Sequence, residues 1–237
     1  MNAMTHLIAA PILLPLLTAA IMLMLGEKHR PLKAKINLFS SLLGLGISVA
    51  LLQWTQSTGV PGSIGVYLPG NWQVPFGLVL VVDRLSALML VLTGIIGVSA
   101  LLFAMARWDG AGSSFHALFQ IQMMGLYGAF LTADLFNLFV FFEVLLAASY
   151  GLMLHGSGRA RVSSGLHYIS INLLASSLFL IGAALIYGVT GTLNMADLAL
   201  KIPLVPQADR GLLHAGAGIL AVAFLAKAGM WPLNFWL

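Results

Sequence analysis

The chain contains no cysteine. That absence removes disulfide frameworks, thiolate metal sites and iron–sulfur clusters from consideration. Charge is almost as scarce: 11 Lys or Arg and 7 Asp or Glu among 237 residues, 8% in all, where a soluble domain carries roughly 25%. So few charges cannot cover a soluble globule of this size. Gly-rich phosphate loops, paired-histidine zinc helices and a Ser-His-Asp constellation are missing too, and no two apolar runs carry the central histidines that haem would need. Neither a cofactor nor a metal is expected. What is present is apolar: 60% hydrophobic residues and a mean hydropathy of +0.99. The chain reads as an all-α integral membrane protein. Its net charge of +4 reflects how basic loops sort across a bilayer, so no nucleic-acid partner is expected.

A spanning helix needs about 20 apolar residues. Seven runs meet that need, at about 7–25, 36–54, 85–106, 116–132, 135–154, 166–188 and 212–231. They are continuously apolar and lack the alternation of barrel strands, which predicts about seven transmembrane helices in a single membrane domain, 1–237. The first run has no basic residue before it and continues into Glu27-Lys28, so it reads as an uncleaved helix and not as a secretory signal. The long segment 55–84 is rich in glycine and proline. Val66-Tyr67-Leu68, Pro69-Gly70 and Trp72-Gln73-Val74 predict a hairpin with Pro and Gly at its turn.

Loops after the first, third and fifth runs hold Lys28, Arg30, Lys33, Lys35, Arg107, Arg159 and Arg161; the opposite loops hold Arg84, Lys201 and Arg210. The positive-inside rule puts the first group in the cytoplasm and the N-terminus outside. The sequence stops at Asn234-Phe235-Trp236-Leu237 while still apolar, so a truncated product, or the first part of a longer protein, is expected.

Two charges fall inside the apolar runs and away from the helix ends. Glu143 lies midway along the fifth run and Lys227 lies in the seventh. An ionised group at the centre of a spanning helix costs about 2.5–3.5 kcal/mol on insertion scales, so such residues generally face a partner inside the bundle. If Glu143 approaches Lys227, the lysine keeps its proton; if they separate, desolvation favours its release. The pair would then couple proton movement to any motion that opens or closes it. The competing readings are a neutral structural carboxyl for Glu143 and, for Lys227, snorkelling from a helix that ends near 231. Pro232 removes the hydrogen bond to the carbonyl of Ala228, which predicts a helix break beside Lys227 of the kind transporters use.

Softer polar candidates flank the pair. His116, Gln120 and Tyr127 form one stripe of the fourth run. In the sixth, Ser163, His167 and Ser170 form one strip and Asn172 and Ser176 a second. His167, Ser170, Asn172 and Ser176 are a possible polar path, either as a relay around a histidine or as hydrogen bonds between helices. Asp83 and Arg84 before the third run, and Asp134 between the fourth and fifth, read as helix-end anchors. His214 reads as interfacial.

Asp134-Leu135-Phe136-Asn137-Leu138-Phe139-Val140-Phe141-Phe142-Glu143, followed by Tyr150-Gly151-Leu152-Met153-Leu154-His155-Gly156, resembles the fifth-helix signature of the antiporter-like subunits shared by Mrp-type cation/proton antiporters and respiratory complex I. Val81-Val82-Asp83-Arg84-Leu85-Ser86-Ala87-Leu88-Met89, Tyr187-Gly188-Val189-Thr190-Gly191-Thr192-Leu193-Asn194 and Lys227-Ala228-Gly229-Met230-Trp231-Pro232-Leu233 are similar to the D-type component of the Mrp (Pha, Sha) antiporters in particular. The resemblance implies the first part of a fold of about fourteen helices, built from two inverted repeats with broken helices. It also implies that Glu143 tunes, and Lys227 shuttles, a proton. Expected partners are the other membrane subunits of the complex, with Na⁺ or K⁺ and H⁺ as the ions moved across a bacterial inner membrane. Such a chain is a transporter subunit and not an enzyme. The alternatives are a proton-pumping subunit of an NADH–quinone oxidoreductase or membrane hydrogenase, and a non-conducting structural subunit.

Overall fold

A computed structural model describes residues 3–26, 29–57, 64–72, 74, 77–112, 114–156 and 158–236. The chain is mostly helical: α1 (Ala3–Leu7), α2 (Ala10–Met24), α3 (Arg30–Ser57), α4 (Arg84–Met105), α5 (Phe115–Leu131), α6 (Leu135–Met153), α7 (Arg159–Thr190), α8 (Met195–Lys201) and α9 (Arg210–Lys227). Helices α3, α4, α6, α7 and α9 are long and apolar enough to cross a membrane. The first and fourth expected spans are shorter. Helix α2 has 15 residues, with α1 set off before it, and α5 has 17, about 22 and 25 Å at 1.5 Å per residue. Ten of the 17 residues of α5 are buried, so that helix is shielded by its neighbours.

Local chemistry explains where the helices start. Asp83 and Ser86 form a reciprocal capping box at the start of α4, with Asp83 Oδ1 accepting from the Ser86 amide at 2.7 Å and Ser86 Oγ accepting from the Asp83 amide at 2.8 Å. Asp134 caps α6 by accepting from the amides of Phe136 and Asn137. Each carboxylate satisfies donors that a new helix leaves unpaired. Arg84 follows its cap as the first residue of α4, and its side chain is exposed.

The helices pack as two groups. One apolar core joins α2, α3, α4 and α5, through Leu51, Leu90, Leu101 and Tyr127 among others; the second joins α6, α7 and α9, through Phe179, Ile186, Leu220 and Ala223. Glycines set the closest approaches. A Cβ on Gly128 of α5 would collide with the ring of Phe141 of α6. A Cβ on Gly182 of α7 would lie 2.9 Å from the Gly216 carbonyl of α9, and one on Gly216 would lie 2.9 Å from Leu185 Cβ. The α7–α9 contact is therefore set by backbone against backbone, and it fixes the depth at which α9 meets α7.

The loops after α2, α4 and α6 gather at one end of the molecule. Arg30 donates to the carbonyls of Gly110 and Gly112, His155 Nε2 lies 3.1 Å from the Trp108 carbonyl oxygen, and the Arg161 guanidinium stacks 4.6 Å from the Trp108 ring. The opposite end carries β1 (Gly65–Tyr67) paired antiparallel with β2 (Leu80–Val82), in the register Gly65↔Val82. This corrects the hairpin read from sequence. The chain does turn at Pro69–Asn71, with Gly70 at φ 74°, but the partner strand is Leu80–Val82 and not 72–74. Of that expected partner, Gln73 lies outside the described residues. Leu80 also bridges to Thr132, and Asp134 to Asn194, so these pairings tie the loops at this end to the start of α6.

Candidate functional site

Glu143 is the ninth of the 19 residues of α6, a full turn or more from either end. Lys227 is the last residue of α9. Its ammonium nitrogen lies 3.9 Å from Glu143 Oε1. Ser176, midway along α7, stands between them: Lys227 Nζ donates to Ser176 Oγ at 2.9 Å, and that hydroxyl donates to Glu143 Oε1. Three helices thus contribute one group each to a continuous Lys–Ser–Glu chain. The lysine side chain is 11% exposed and that of the glutamate 32%.

Since Lys227 reaches the middle of α6, it points into the bundle and does not snorkel towards an interface. The end of α9 is placed by a different residue from the one expected. Gly229, at φ 60°, adopts the left-handed conformation, the Gly229 amide donates to Ala226 O, and the Met230 amide donates to Leu225 O. This pair of bonds is the Schellman closure of a helix, and it stops α9 at Lys227, short of the expected 231. Pro232 lies beyond the helix and does not break it. The Ala226 carbonyl also accepts from the indole of Trp236 at 3.1 Å, so the chain after Lys227 folds back on the end of its own helix.

The surroundings of the pair are aromatic. Lys227 Nζ lies 5.7 Å from the centre of the Phe142 ring, within cation–π range. Phe142, Phe179 and Phe224 contact one another edge-on. A cavity of about 370 Å³ opens beside the lysine, lined by residues that include Leu146, Tyr168, Asn172 and Trp236.

The four-residue polar path divides. Asn172 and Ser176 are buried. His167 and Ser170 are exposed, and the Ser170 hydroxyl bonds back to Leu166 O of its own helix. The inward strip of α7 is Tyr168, Asn172 and Ser176, one helical turn apart. Sequence reasoning misses Tyr168; its spacing of four from Asn172 is the available signal. Its hydroxyl lies 3.0 Å from Ser149 Oγ and its ring 5.6 Å from those of Tyr150 and Trp236. His214 is exposed in the first turns of α9. His116, Gln120 and Tyr127 share the buried face of α5, away from the Glu143 site.

A multi-pass helical bundle with an acid and a base joined in its interior has the architecture of an integral membrane protein. Similarity to known proteins narrows that class. Residues 132–237 match the family described as NADH:quinone oxidoreductase/Mrp antiporter, transmembrane. It is 58% identical over 234 residues, 98% of its length, to the D component of a probable K⁺/H⁺ antiporter of Rhizobium meliloti (strain 1021). It is 42% identical over 99% of its length to the D component of the Na⁺/H⁺ antiporter of Alkalihalophilus pseudofirmus. All of it superimposes on 43% of a chain in the structure of the Mrp complex from Dietzia sp. DQ12-45-1b, with a TM-score of 0.86 and 34% identity. The chain spans 43% and 46% of the length of the two curated relatives.

Proposed function

We propose that this chain is part of a D-type subunit of a multi-subunit monovalent cation/proton antiporter in a bacterial inner membrane, and that Glu143, Ser176 and Lys227 carry the proton. The observation that carries the reading is the Lys227–Ser176–Glu143 chain. An ammonium held by a hydroxyl and a carboxylate keeps its proton; withdrawal of either partner leaves a desolvated lysine that gives the proton up. The hydroxyl both accepts and donates, so it can pass a proton between two groups 3.9 Å apart. Because α9 ends at Lys227, the lysine sits where a helix gives way to a non-helical segment, and movement of that segment alters the pair with little disturbance of the packed helices. The two curated relatives are named for K⁺/H⁺ and Na⁺/H⁺ exchange, which supports a monovalent cation as the exchanged ion and other membrane subunits as partners. With seven basic residues in one set of loops against three in the other, the end bearing Arg30 and Arg161 faces the cytoplasm.

The test is cation-dependent collapse of a pH gradient in everted vesicles carrying the whole complex. Loss of exchange in Glu143→Ala and Lys227→Ala is expected, with the complex still assembled. Undiminished exchange in both variants, with assembly intact, would favour a structural role. The family description also covers NADH:quinone oxidoreductases, which favours proton pumping in a redox complex as the second reading. Gradient formation driven by a reduced electron donor, with no cation dependence, would select it.

A further inference from the structure

The Glu143 site leaves a second buried polar system unused, in the other half of the bundle. His116, near the start of α5, is 4% exposed; Asn37 of α3 and Gln120 of α5 are 0% and 1% exposed. Asn37 Nδ2 lies 3.0 Å from His116 Nδ1, Gln120 Nε2 donates to Asn37 Oδ1 at 2.7 Å and to Ser41 Oγ at 3.1 Å, and Ser41 is itself buried. On the other side of the imidazole, Nε2 lies 3.3 Å from Asp109 Oδ2. Asp109 belongs to the turn between α4 and α5, and its side chain is 23% exposed. It is the point at which this line of groups reaches the end of the molecule that carries the basic loops.

The amide fixes the tautomer. An N–H of Asn37 directed at Nδ1 makes Nδ1 an acceptor, so the neutral ring carries its proton on Nε2, facing the Asp109 carboxylate. Hydrogen-bond polarity then runs one way: Ser41 and Asn37 oxygens accept from Gln120, and the Asn37 nitrogen donates to His116.

We propose that His116 is a proton-binding site separate from Glu143 and Lys227, and that its protonation reverses this hydrogen-bond chain. An added proton can enter the ring only at Nδ1, forming a new N–H there. The imidazolium so formed carries an N–H at both nitrogens, one towards Asp109 at ion-pair distance and one towards Asn37. Asn37 must then turn its carbonyl oxygen to Nδ1. Its amide nitrogen in turn faces Gln120, which rotates to accept through its own oxygen, and that oxygen also accepts from the Ser41 hydroxyl. Among the described residues, the titratable groups facing the imidazole are Asp109 from the turn, Lys33 from α3 and His155 beyond α6; α2, which packs against α5, contributes none. Burial works against a charged ring, and so do the two bases, while Asp109 supplies the attraction that favours it. The inference concerns proton binding alone and does not depend on the Glu143–Lys227 reading.

The test is magnetic resonance of the full-length chain in its assembled complex, labelled on histidine nitrogen and held in a lipid bilayer. The His116 signal is assigned by its loss in His116→Gln or, if that variant does not assemble, by its displacement in Asp109→Asn. The neutral ring is expected as the Nε2–H tautomer, and both nitrogens become protonated as the pH is lowered. Asp109→Asn is expected to lower the midpoint by about one pH unit or more, since it removes an opposite charge in contact. Asn37→Leu is expected to abolish the tautomer preference. A ring that stays neutral throughout, or a neutral ring found as the Nδ1–H tautomer, overturns the proposal.

Discussion

Lys227 and Glu143, 84 residues apart in sequence, stand 3.9 Å apart in the folded chain, with the hydroxyl of Ser176 bonded to both. The pair is held by the glycine contacts between α7 and α9, which set how far α9 travels before its last residue reaches α7.

Ser176→Ala removes a donor to the carboxylate and an acceptor for the ammonium. Stripping a buried group of its partner costs about 1–3 kcal/mol, so exchange in everted vesicles carrying the whole complex is expected to fall roughly tenfold. Ser176→Thr keeps the hydroxyl and should retain most of the rate.

Glu143→Gln and Lys227→Gln each leave one charge alone in the bundle, at a cost of about 3–5 kcal/mol. The double variant leaves none, so its thermal stability, measured on the purified complex, is expected to exceed that of either single variant. Exchange should be lost in all three. Additive destabilisation in the double variant would show that the two side chains do not interact.

Gly182→Leu inserts a side chain where a Cβ already meets the Gly216 carbonyl at 2.9 Å. Overpacking of this kind costs about 1–3 kcal/mol and would push α9, with Lys227, away from Ser176. A lowered melting temperature together with reduced exchange is the expected result. Gly218→Ala, on α9 but with nothing within 4 Å of its would-be Cβ, serves as the control and should change neither.

Gly229→Ala places a side chain at φ 60°, where an L residue is disfavoured by roughly 1–2 kcal/mol. Fraying of the last turn of α9 is expected, read as faster hydrogen exchange at the Gly229 and Met230 amides that close the helix and as weaker proton coupling. Unchanged exchange at those amides would remove the closure from the account.

Asp197 lies on the short helix α8, where donation from Lys201, 2.9 Å away, and then from Thr192 holds its carboxyl below the usual carboxylate range. Its contribution is therefore fully present above the ordinary carboxylate pKa and is lost as the pH falls through the lowered one. Amide protection within α8 should decline on acidification, and Lys201→Ala should move that decline to higher pH.

The sequence alone located the apolar runs and the two charges inside them, because apolarity over a bilayer's thickness and the cost of an intramembrane charge are local properties. The helix caps at Asp83 and Asp134 were legible for the same reason: a carboxylate before an apolar run has a short-range task. Contacts between distant segments were not legible. The strand that pairs with Gly65–Tyr67 is Leu80–Val82 and not the nearer 72–74, since β2 is also held by a bridge to Thr132. Nor could the inward face of α7 be chosen. His167 and Tyr168 are adjacent and differ by about 100° around the helix, and only packing against α6 and α9 turned Tyr168, Asn172 and Ser176 inward and left His167 outside. The sequence determined that this protein crosses a membrane and carries an acid and a base within its apolar runs. The tertiary structure decided that the two meet through a serine: close packing at Gly182 and Gly216 sets the depth of α9, and the left-handed turn at Gly229 ends the helix on the lysine.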